Sequence, residues 1–317
     1  MKASILIPAF NAGNTLQATL ESCIGQGAHV VEEIIVVDDH STDDTHDVFK
    51  AFQRNHADFH LLWANNPKKG ACSARNHAMN LSRGMFVQWL DADDLLGPNK
   101  IETQLSAIAG ASRSLATCPF RSFNGDPSSG LISDPRDWQL NAEWTAADWI
   151  AKDPMCIPAC WLGSRNLMLE AGPWDERLQV NQDGEFFCRV IAKSDRVIFD
   201  DSIETFYRRE GGGVSKFTAE KADSLFRSIQ SMERTGLELE DSDQMRQMVS
   251  NRYQAFIYTV FPSHRDLLDE AKQRLQTLPK PTISNPNAVS PTSRTISRIL
   301  GWKSLTRLRQ LKQHLTA

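Results

Sequence analysis

The residues best suited to chemistry are acidic and lie in short clusters. Asp91-Ala92-Asp93-Asp94 follows the apolar run Met85–Leu90. Two carboxylates spaced two apart at the end of a strand can offer oxygens to a hard divalent cation. Mg²⁺ is usually held by one or two carboxylates plus substrate phosphates, and a cation so placed offsets the charge that grows on a departing diphosphate. The other reading of this segment is a solvated acidic loop or a cap for the helix that starts near Pro98. Asp38 and Asp39 close a second apolar run, Glu33–Asp38. A carboxylate there can accept hydrogen bonds from a nucleobase or ribose. It can equally form an Asx turn ahead of a helix, with Ser41 or Thr42 as N-cap. Arg75, with Lys68 and Lys69 before it, supplies a cation for a diphosphate or a partner for the carboxylates. In Gln182-Asp183-Gly184-Glu185-Phe186-Phe187-Cys188-Arg189, two acids open an apolar helix. Asp183 or Glu185 can take a proton from an attacking hydroxyl, or either can serve only as a first-turn acid favoured by the helix dipole. The stretch Tyr207-Arg208-Arg209-Glu210-Gly211-Gly212-Gly213 is basic and glycine-rich, a loop able to close over phosphates or simply a turn.

These clusters need elements to bring them together. Strands are expected at Ala3–Pro8, Glu33–Asp38, Phe59–Ala64, Met85–Leu90 and Ser114–Phe120. Helices are expected near Asn14–Ile24, Asp43–Asn55, Ala71–Ser82 and Pro98–Ala109. Apolar strands alternating with helices indicate a mostly parallel sheet covered on both faces. Ligands on such sheets sit outside the carboxyl ends of the strands, which is where Ala9-Phe10-Asn11, Asp38-Asp39 and Asp91–Asp94 fall. The region from Asn124 to Gly213 is less regular and rich in tryptophan: Trp138, Trp144, Trp149, Trp161 and Trp174. A helical pattern runs through Ala219–Gln276. Four prolines mark Thr277–Ser293 as a linker, and Arg294–Ala317 has a basic amphipathic pattern.

Composition narrows the function. The chain has 317 residues, 41% of them hydrophobic, with 35 Lys and Arg against 39 Asp and Glu and a net charge of −4. Lys280–Ala317 carries seven basic residues and no acidic one, so the remainder stands at −11. A basic tail on an acidic body suits an anionic surface. No run of apolar residues reaches membrane-spanning length, and Pro8 and Asn11 make the first apolar segment a strand and not a signal peptide. The six cysteines are scattered without a CxxC, as buried thiols in a reducing compartment would be. GxGxxG, GxxxxGK[ST] and GxSxG are all absent, which disfavours dehydrogenase, P-loop and serine-hydrolase chemistry.

Taken in order, SILIPAFN, EIIVVDDHSTDDT, GACSARNHAMNLSRG, VQWLDADDLL, AGPWDERL, QDGEFFCRV and YRREGG resemble the motifs of inverting glycosyltransferases of family 2 over residues 3–215. The resemblance implies an α/β GT-A fold, a mostly parallel central sheet flanked by helices with a helical C-terminal extension. It implies a glycosyltransferase domain at 1–215 (1–120 nucleotide-binding, 121–215 acceptor-binding), a helical extension at 216–276, a linker at 277–293 and a basic helix at 294–317. It places Pro8, Ala9 and Phe10 along the nucleoside, Asp39 on the base with Arg75 in support, Asp91 on ribose or metal, and Asp93 on Mg²⁺ or Mn²⁺. Asp183 is then the catalytic base. One departure stands out: the family often has Glu-Asp where this chain has Gln182-Asp183, and Glu185 falls at a position commonly acidic in the family. The implied reaction is a single displacement from a nucleotide-diphospho-sugar, UDP by default, to a hydroxyl of a saccharide or lipid-linked glycan. Trp149 or Trp161 is a stacking surface for that acceptor or a core residue. No nucleic-acid partner is expected. The protein is expected to be cytoplasmic, either peripheral on a membrane through its basic tail or with that tail packed on the body. Two rivals remain. A sugar nucleotidyltransferase would want a Gly-rich basic loop after the first strand, absent here. A non-catalytic sugar-nucleotide or carbohydrate-binding protein would not need Asp91, Asp93 and Asp183 together.

Overall fold

The apolar strands pair into a sheet whose edge collects the acidic clusters. The computed structural model describes residues 1–111, 113–127, 131–132, 144–209, 221–285, 295, 301–304 and 306. The expectations placed on Trp138, on residues 210–213 and on most of 286–317 fall outside the described residues. The chain divides into two compact units, Met1–Val214 and Ser215–Ala317.

In the first unit, β1 (Ala3–Ala9) alternates with α1 (Leu16–Ile24), β2 (Val31–Asp38), α2 (Thr45–Asn55), β3 (Leu61–Asn65), α3 (Ala71–Leu81) and β4 (Phe86–Trp89). Ile5, Leu6, Ile7 and Ile34–Val37 are fully buried, as strands covered on both faces must be. β1 lies between β2 and β4 and runs parallel to both, with Ile5 beside Ile34 and Leu6 beside Trp89. β3 extends the sheet beyond β2, so the crossover from β3 to β4 returns past β1. This change of direction opens a crevice at the carboxyl ends of β1 and β4, where ligands bind in open α/β sheets. At the opposite, amino ends of the same two strands, Gly84 permits a close approach: a Cβ on it would stand 2.5 Å from the Ser4 amide nitrogen.

The chain continues through β5 (Leu95–Leu96), α4 (Lys100–Ala107), β6 (Ser114–Thr117), β7 (Phe120–Phe123), β8 (Leu131–Ile132), α5 (Ala146–Lys152), β9 (Leu162–Ser164), α6 (Arg165–Glu170), α7 (Gln182–Lys193), β10 (Arg196–Phe199) and β11 (Thr205–Arg208). Among the described residues the main sheet has the order β10-β6-β9-β4-β1-β2-β3, and only β9 is antiparallel to its neighbours. A second sheet, β5-β11-β7-β8, was not anticipated from the sequence. Its strands are two to four residues long, too short for a readable alternation. It carries Tyr207 and Arg208 to the acidic loop after β4.

The helical expectation for the second unit resolves into α8 (Ala222–Leu239), α9 (Asp243–Val260) and α10 (Arg265–Leu275). Ser242 caps α9 by accepting from the Met245 amide at 3.3 Å. Phe226 packs on Phe256 and Tyr253, while Glu233 accepts from Tyr253 Oη at 2.6 Å and from Arg274. Trp302, at the start of the basic segment, packs edge-on against Tyr258 and Phe261. Among the described residues no helix is long and apolar enough to cross a membrane.

Candidate active site

At the tip of β1, Ala9 is buried and its carbonyl accepts from the Asp39 amide at 2.7 Å. Pro8 is half-buried. The Phe10 ring is 45% exposed, with the Lys69 ammonium 5.3 Å from its centroid. The buried Asp39 carboxylate accepts from Asn66 Nδ2 at 2.7 Å and from the Gly70 amide at 2.8 and 3.0 Å. Gly70 has φ +139° at the head of α3, a backbone state that glycine adopts without strain. Asn66 is fixed in turn: its amide donates to Asp38 O and its Oδ1 accepts from Ser73 Oγ. Asp38 makes the expected Asx turn, accepting from the Ser41 amide. The N-cap of α2 is Asp44, not Ser41 or Thr42. Ser41 and Thr42 instead bind Asn11, whose φ of +49° turns the chain after β1.

After β4, the loop Asp91–Asp94 is pinned from α1, because Thr15 and Thr19 donate to Ala92 O at 2.9 and 3.0 Å. Asp91 accepts from Arg75 Nη2 at 2.7 Å. Arg75 is 7% exposed, lies 4.6 Å over the Trp174 ring, and donates through Nη1 to Gln182 Oε1 at 2.9 Å. It therefore joins the acidic loop to the head of α7. Asp93 is half-buried, and desolvation together with the Asp91 charge pushes its pKa up to about 6. Asp94 is almost wholly buried, with its pKa raised by burial and by Asp93 and Asp91. Its Oδ1 accepts from the Arg208 amide at 2.9 Å, while its Oδ2 has no partner among the described residues. Arg208 Nε donates to Asp93 O at 2.9 Å.

Asp183 opens α7 behind Asn181, which caps the helix from a left-handed conformation. Burial raises its pKa, opposed by the Arg75 charge and the Gly184 amide, and Asp91 adds to the rise. Tyr207 senses the whole set: burial raises its pKa, and Asp94, Asp93, Asp91 and Asp183 all add to it. The acidic loop and Asp183 therefore act together on the Tyr207 hydroxyl. Glu185 does not: it is 3% exposed and clamped by Arg189 Nε and Nη2 at 2.8 and 2.9 Å, with Arg189 also bound to the carbonyls of Gly172 and Pro173. Its role is to hold α7 on the 171–173 turn. Trp149 and Trp161 are 1% and 3% exposed and pack against each other, with Trp161 stacked on Phe187. They are core residues and offer no face to an acceptor.

Sequence reasoning missed Asn66 and gave Trp174 no place in this region; Gln182 and Tyr207 lay in segments it had marked, without a role of their own. Asn66 follows a strand end, the same signal that marked Asp39 and Asp91. The roles of the other three become legible only when Arg75 and the short second sheet are placed.

Comparison with known proteins agrees with this architecture. The profile of Glycosyl transferase family 2 matches residues 4–170. The chain is 26% identical over 234 residues to the UDP-Glc:alpha-D-GlcNAc-diphosphoundecaprenol beta-1,3-glucosyltransferase WfaP of Escherichia coli, covering 74% of this chain and 86% of WfaP. It is 25% identical over 260 residues to the hyaluronan synthase of Pasteurella multocida, covering 78% of this chain but 25% of that enzyme. Staphylococcus aureus TarS 1–349, solved with UDP-GlcNAc, superposes with a TM-score of 0.71 at 18% identity, covering 98% of this chain and 92% of that one. The mannosyltransferase PcManGT of Pyrobaculum calidifontis, solved with GDP-Man and Mn²⁺, gives 0.59 at 15% identity, covering 98% and 87%. The α/β GT-A fold with a helical C-terminal region is thus the fold of this chain.

Proposed function

The chain belongs to glycosyl transferase family 2, and from that premise we propose that it moves a sugar from a nucleotide-diphosphate donor to a hydroxyl of a saccharide or lipid-linked glycan, with inversion at the anomeric carbon. The observation that carries the reading is the bridge Asp91–Arg75–Gln182, which ties the acidic loop to the head of α7, next to Asp183. UDP is the favoured nucleotide, because WfaP is named for UDP-Glc and TarS is solved with UDP-GlcNAc. The glycan-diphosphoundecaprenol in the name of WfaP favours a lipid-linked acceptor.

Asp183 accepts the proton of the acceptor hydroxyl as that oxygen attacks. Burial raises its pKa and so strengthens it as a base, and the Arg75 charge opposes that rise. Asp39, aligned by Asn66 and Gly70, turns its remaining acceptor capacity toward the nucleobase, and the exposed Phe10 ring lies beside it along the nucleoside. The acidic loop fits a divalent cation. Asp93 is desolvated next to Asp91, a pairing that positive charge relieves; among the described residues no group of three or more His, Cys, Asp or Glu side chains is placed to hold a metal ion, so donor phosphates would have to supply most of any shell. Asp93, with Asp91 beside it, would hold Mg²⁺ or Mn²⁺ in a shell completed by substrate phosphates. Bound there, the ion would offset the charge that develops on the leaving diphosphate.

The test is Asp183→Asn, assayed by nucleotide release with a panel of UDP- and GDP-sugars, and by the thermal shift those nucleotides produce with and without Mg²⁺ or Mn²⁺. Transfer should fall by at least about 10³-fold while the nucleotide-induced shift stays close to wild type. Transfer near the wild-type rate in the variant would overturn the assignment of the base.

A further inference from the structure

Gln182 stands directly before the proposed base, and its side-chain amide is committed at both ends. Oε1 accepts from Arg75 Nη1 at 2.9 Å, and Nε2 donates to Leu178 O at 2.8 Å. Arg75 spends its other terminal nitrogen on Asp91 at 2.7 Å, and the Trp174 ring closes one of its faces. An amide is the group this arrangement needs. A carboxylate has no N–H to give Leu178 O, and it would divide the guanidinium between two anions. The charged and titratable groups that face Asp183 come from three other elements: Arg75 of α3, Asp91 after β4, and Tyr207 of β11. On its own helix, Glu185 is neutralised by Arg189. Arg75 is the cation of this set, and Gln182 fixes where its charge points.

Resting on the reading of Asp183 as the base, we infer that Gln182 is a positioning residue that sets the working pH of transfer. By giving Arg75 a neutral, oriented acceptor, it holds the guanidinium between Asp91 and the head of α7, next to the base, without adding a second anion to its hydrogen bonds. The side chain acts through Arg75 and does not itself exchange a proton.

The test is the pH profile of kcat/KM for full-length wild type, Gln182→Glu and Gln182→Met, using whichever UDP-sugar supports nucleotide release. Gln182→Glu adds an anion beside the base and competes for Arg75, so the acid limb should move to higher pH by about one unit. The rate should return to within about threefold of wild type above the limb, with the UDP-induced thermal shift retained. Gln182→Met has similar length, loses both hydrogen bonds and adds no charge. It should lower kcat about tenfold without moving the limb to higher pH and without changing the donor KM by more than about twofold. A Gln182→Glu profile that overlays wild type, or that drops by one factor at every pH, would overturn the inference. So would the same limb shift in Gln182→Met, and that comparison holds even if the Glu variant does not fold. If Asp183→Asn retains transfer, the base assignment fails. If Asp183→Asn is inactive while Gln182→Glu titrates like wild type, only the role of Gln182 fails.

Discussion

The two acidic loops lie at the carboxyl ends of β2 and β4 and have similar sequences, yet the protein treats them in opposite ways. Asp39 is surrounded by donors: Asn66 Nδ2 and the Gly70 amide reach its oxygens, and both donors are fixed by further bonds. Asp93 and Asp94 are crowded by each other and by Asp91, and a buried oxygen of Asp94 has no partner among the described residues. Buried polar groups are normally satisfied, and in the second loop Arg208 only partly offsets the crowding of the carboxylates. The first loop is a finished hydrogen-bonding surface, suited to reading a neutral base. The second is a crowded set of carboxylates that added positive charge would relieve, and a frustrated acidic cluster is where function is expected.

The largest expected effect separates the loops by the step each serves. Asp93→Asn should reduce transfer by about 10²- to 10³-fold at saturating donor, and EDTA should bring wild type to the same level. Asp39→Asn should act on binding, weakening nucleotide affinity about tenfold while kcat at saturating donor stays within a few fold. Calorimetric titration with UDP and steady-state nucleotide release measure the two terms. An equal loss of kcat at saturating donor in both variants would erase the distinction.

A smaller effect concerns stability, where the same substitution should have opposite signs. The folded-state pKa of Asp93 is about 6, above the unfolded value near 3.9. Between those values the folded protein binds more protons than the unfolded chain. Stability therefore falls as pH rises through that window, and the penalty is complete above it. In EDTA at pH 8, Asp93→Asn removes the penalty and should raise stability by on the order of 1–2 kcal/mol, after allowance for partial exposure. Asp39→Asn sets an amide against the donors of Asn66 and Gly70 and should lower stability by about 1–2 kcal/mol. Urea unfolding of both variants decides the matter. If both lose stability, the acidic loop is not under electrostatic strain.

Much of this contrast was legible in the sequence, and the unread part has physical causes. The buried strands β1, β2 and β4 announced themselves by continuous apolar runs, so the strand-end rule found Asp39 and Asp91–Asp94 without coordinates. The rule also applied after β3, where Asn66 waited; a neutral amide drew no notice because it carries no charge and no titration. Arg75 was read as a nucleotide contact or a carboxylate partner, and its two hydrogen bonds set it between Asp91 and Gln182. The tryptophans left two readings open, acceptor surface or core, because an aromatic-rich irregular region reads the same whether its rings line a pocket or fill a core. Only burial separates the cases, and Trp149 and Trp161 fill the core. The second sheet rests on strands whose pairing is set by tertiary context. That is why Tyr207, which senses all four carboxylates, looked like part of a turn.

Lys100 gives the comparison its finest edge, because it is an uncompensated buried charge without a cleft. Its ammonium is fully buried and donates to Gln88 Oε1 at 2.5 Å and Gln104 Oε1 at 2.6 Å, both neutral. The amides are held in turn by the carbonyls of Ala159 and Cys160 at 3.0 Å each. Oriented amide dipoles thus serve Lys100 through both oxygen partners, whereas Asp94 has the Arg208 amide on one oxygen and, among the described residues, nothing on the other. Burial still lowers its pKa, with Cys118 and Cys160 opposing. Between that lowered value and the unfolded value near 10.4 the unfolded chain binds the extra proton, so stability rises with pH, by up to about 1.4 kcal/mol per unit. Lys100→Met should lose overall stability, since two glutamine oxygens are left unpaired, and should lose that upward slope as well. Its transfer rate at neutral pH should stay within about twofold of wild type. Urea unfolding at pH 7 and at pH 9.5 reads the slope. Parallel pH dependence in the variant and wild type would show that the ammonium carries no strain. A large fall in transfer by folded Lys100→Met would place this charge with the acidic loop instead of apart from it.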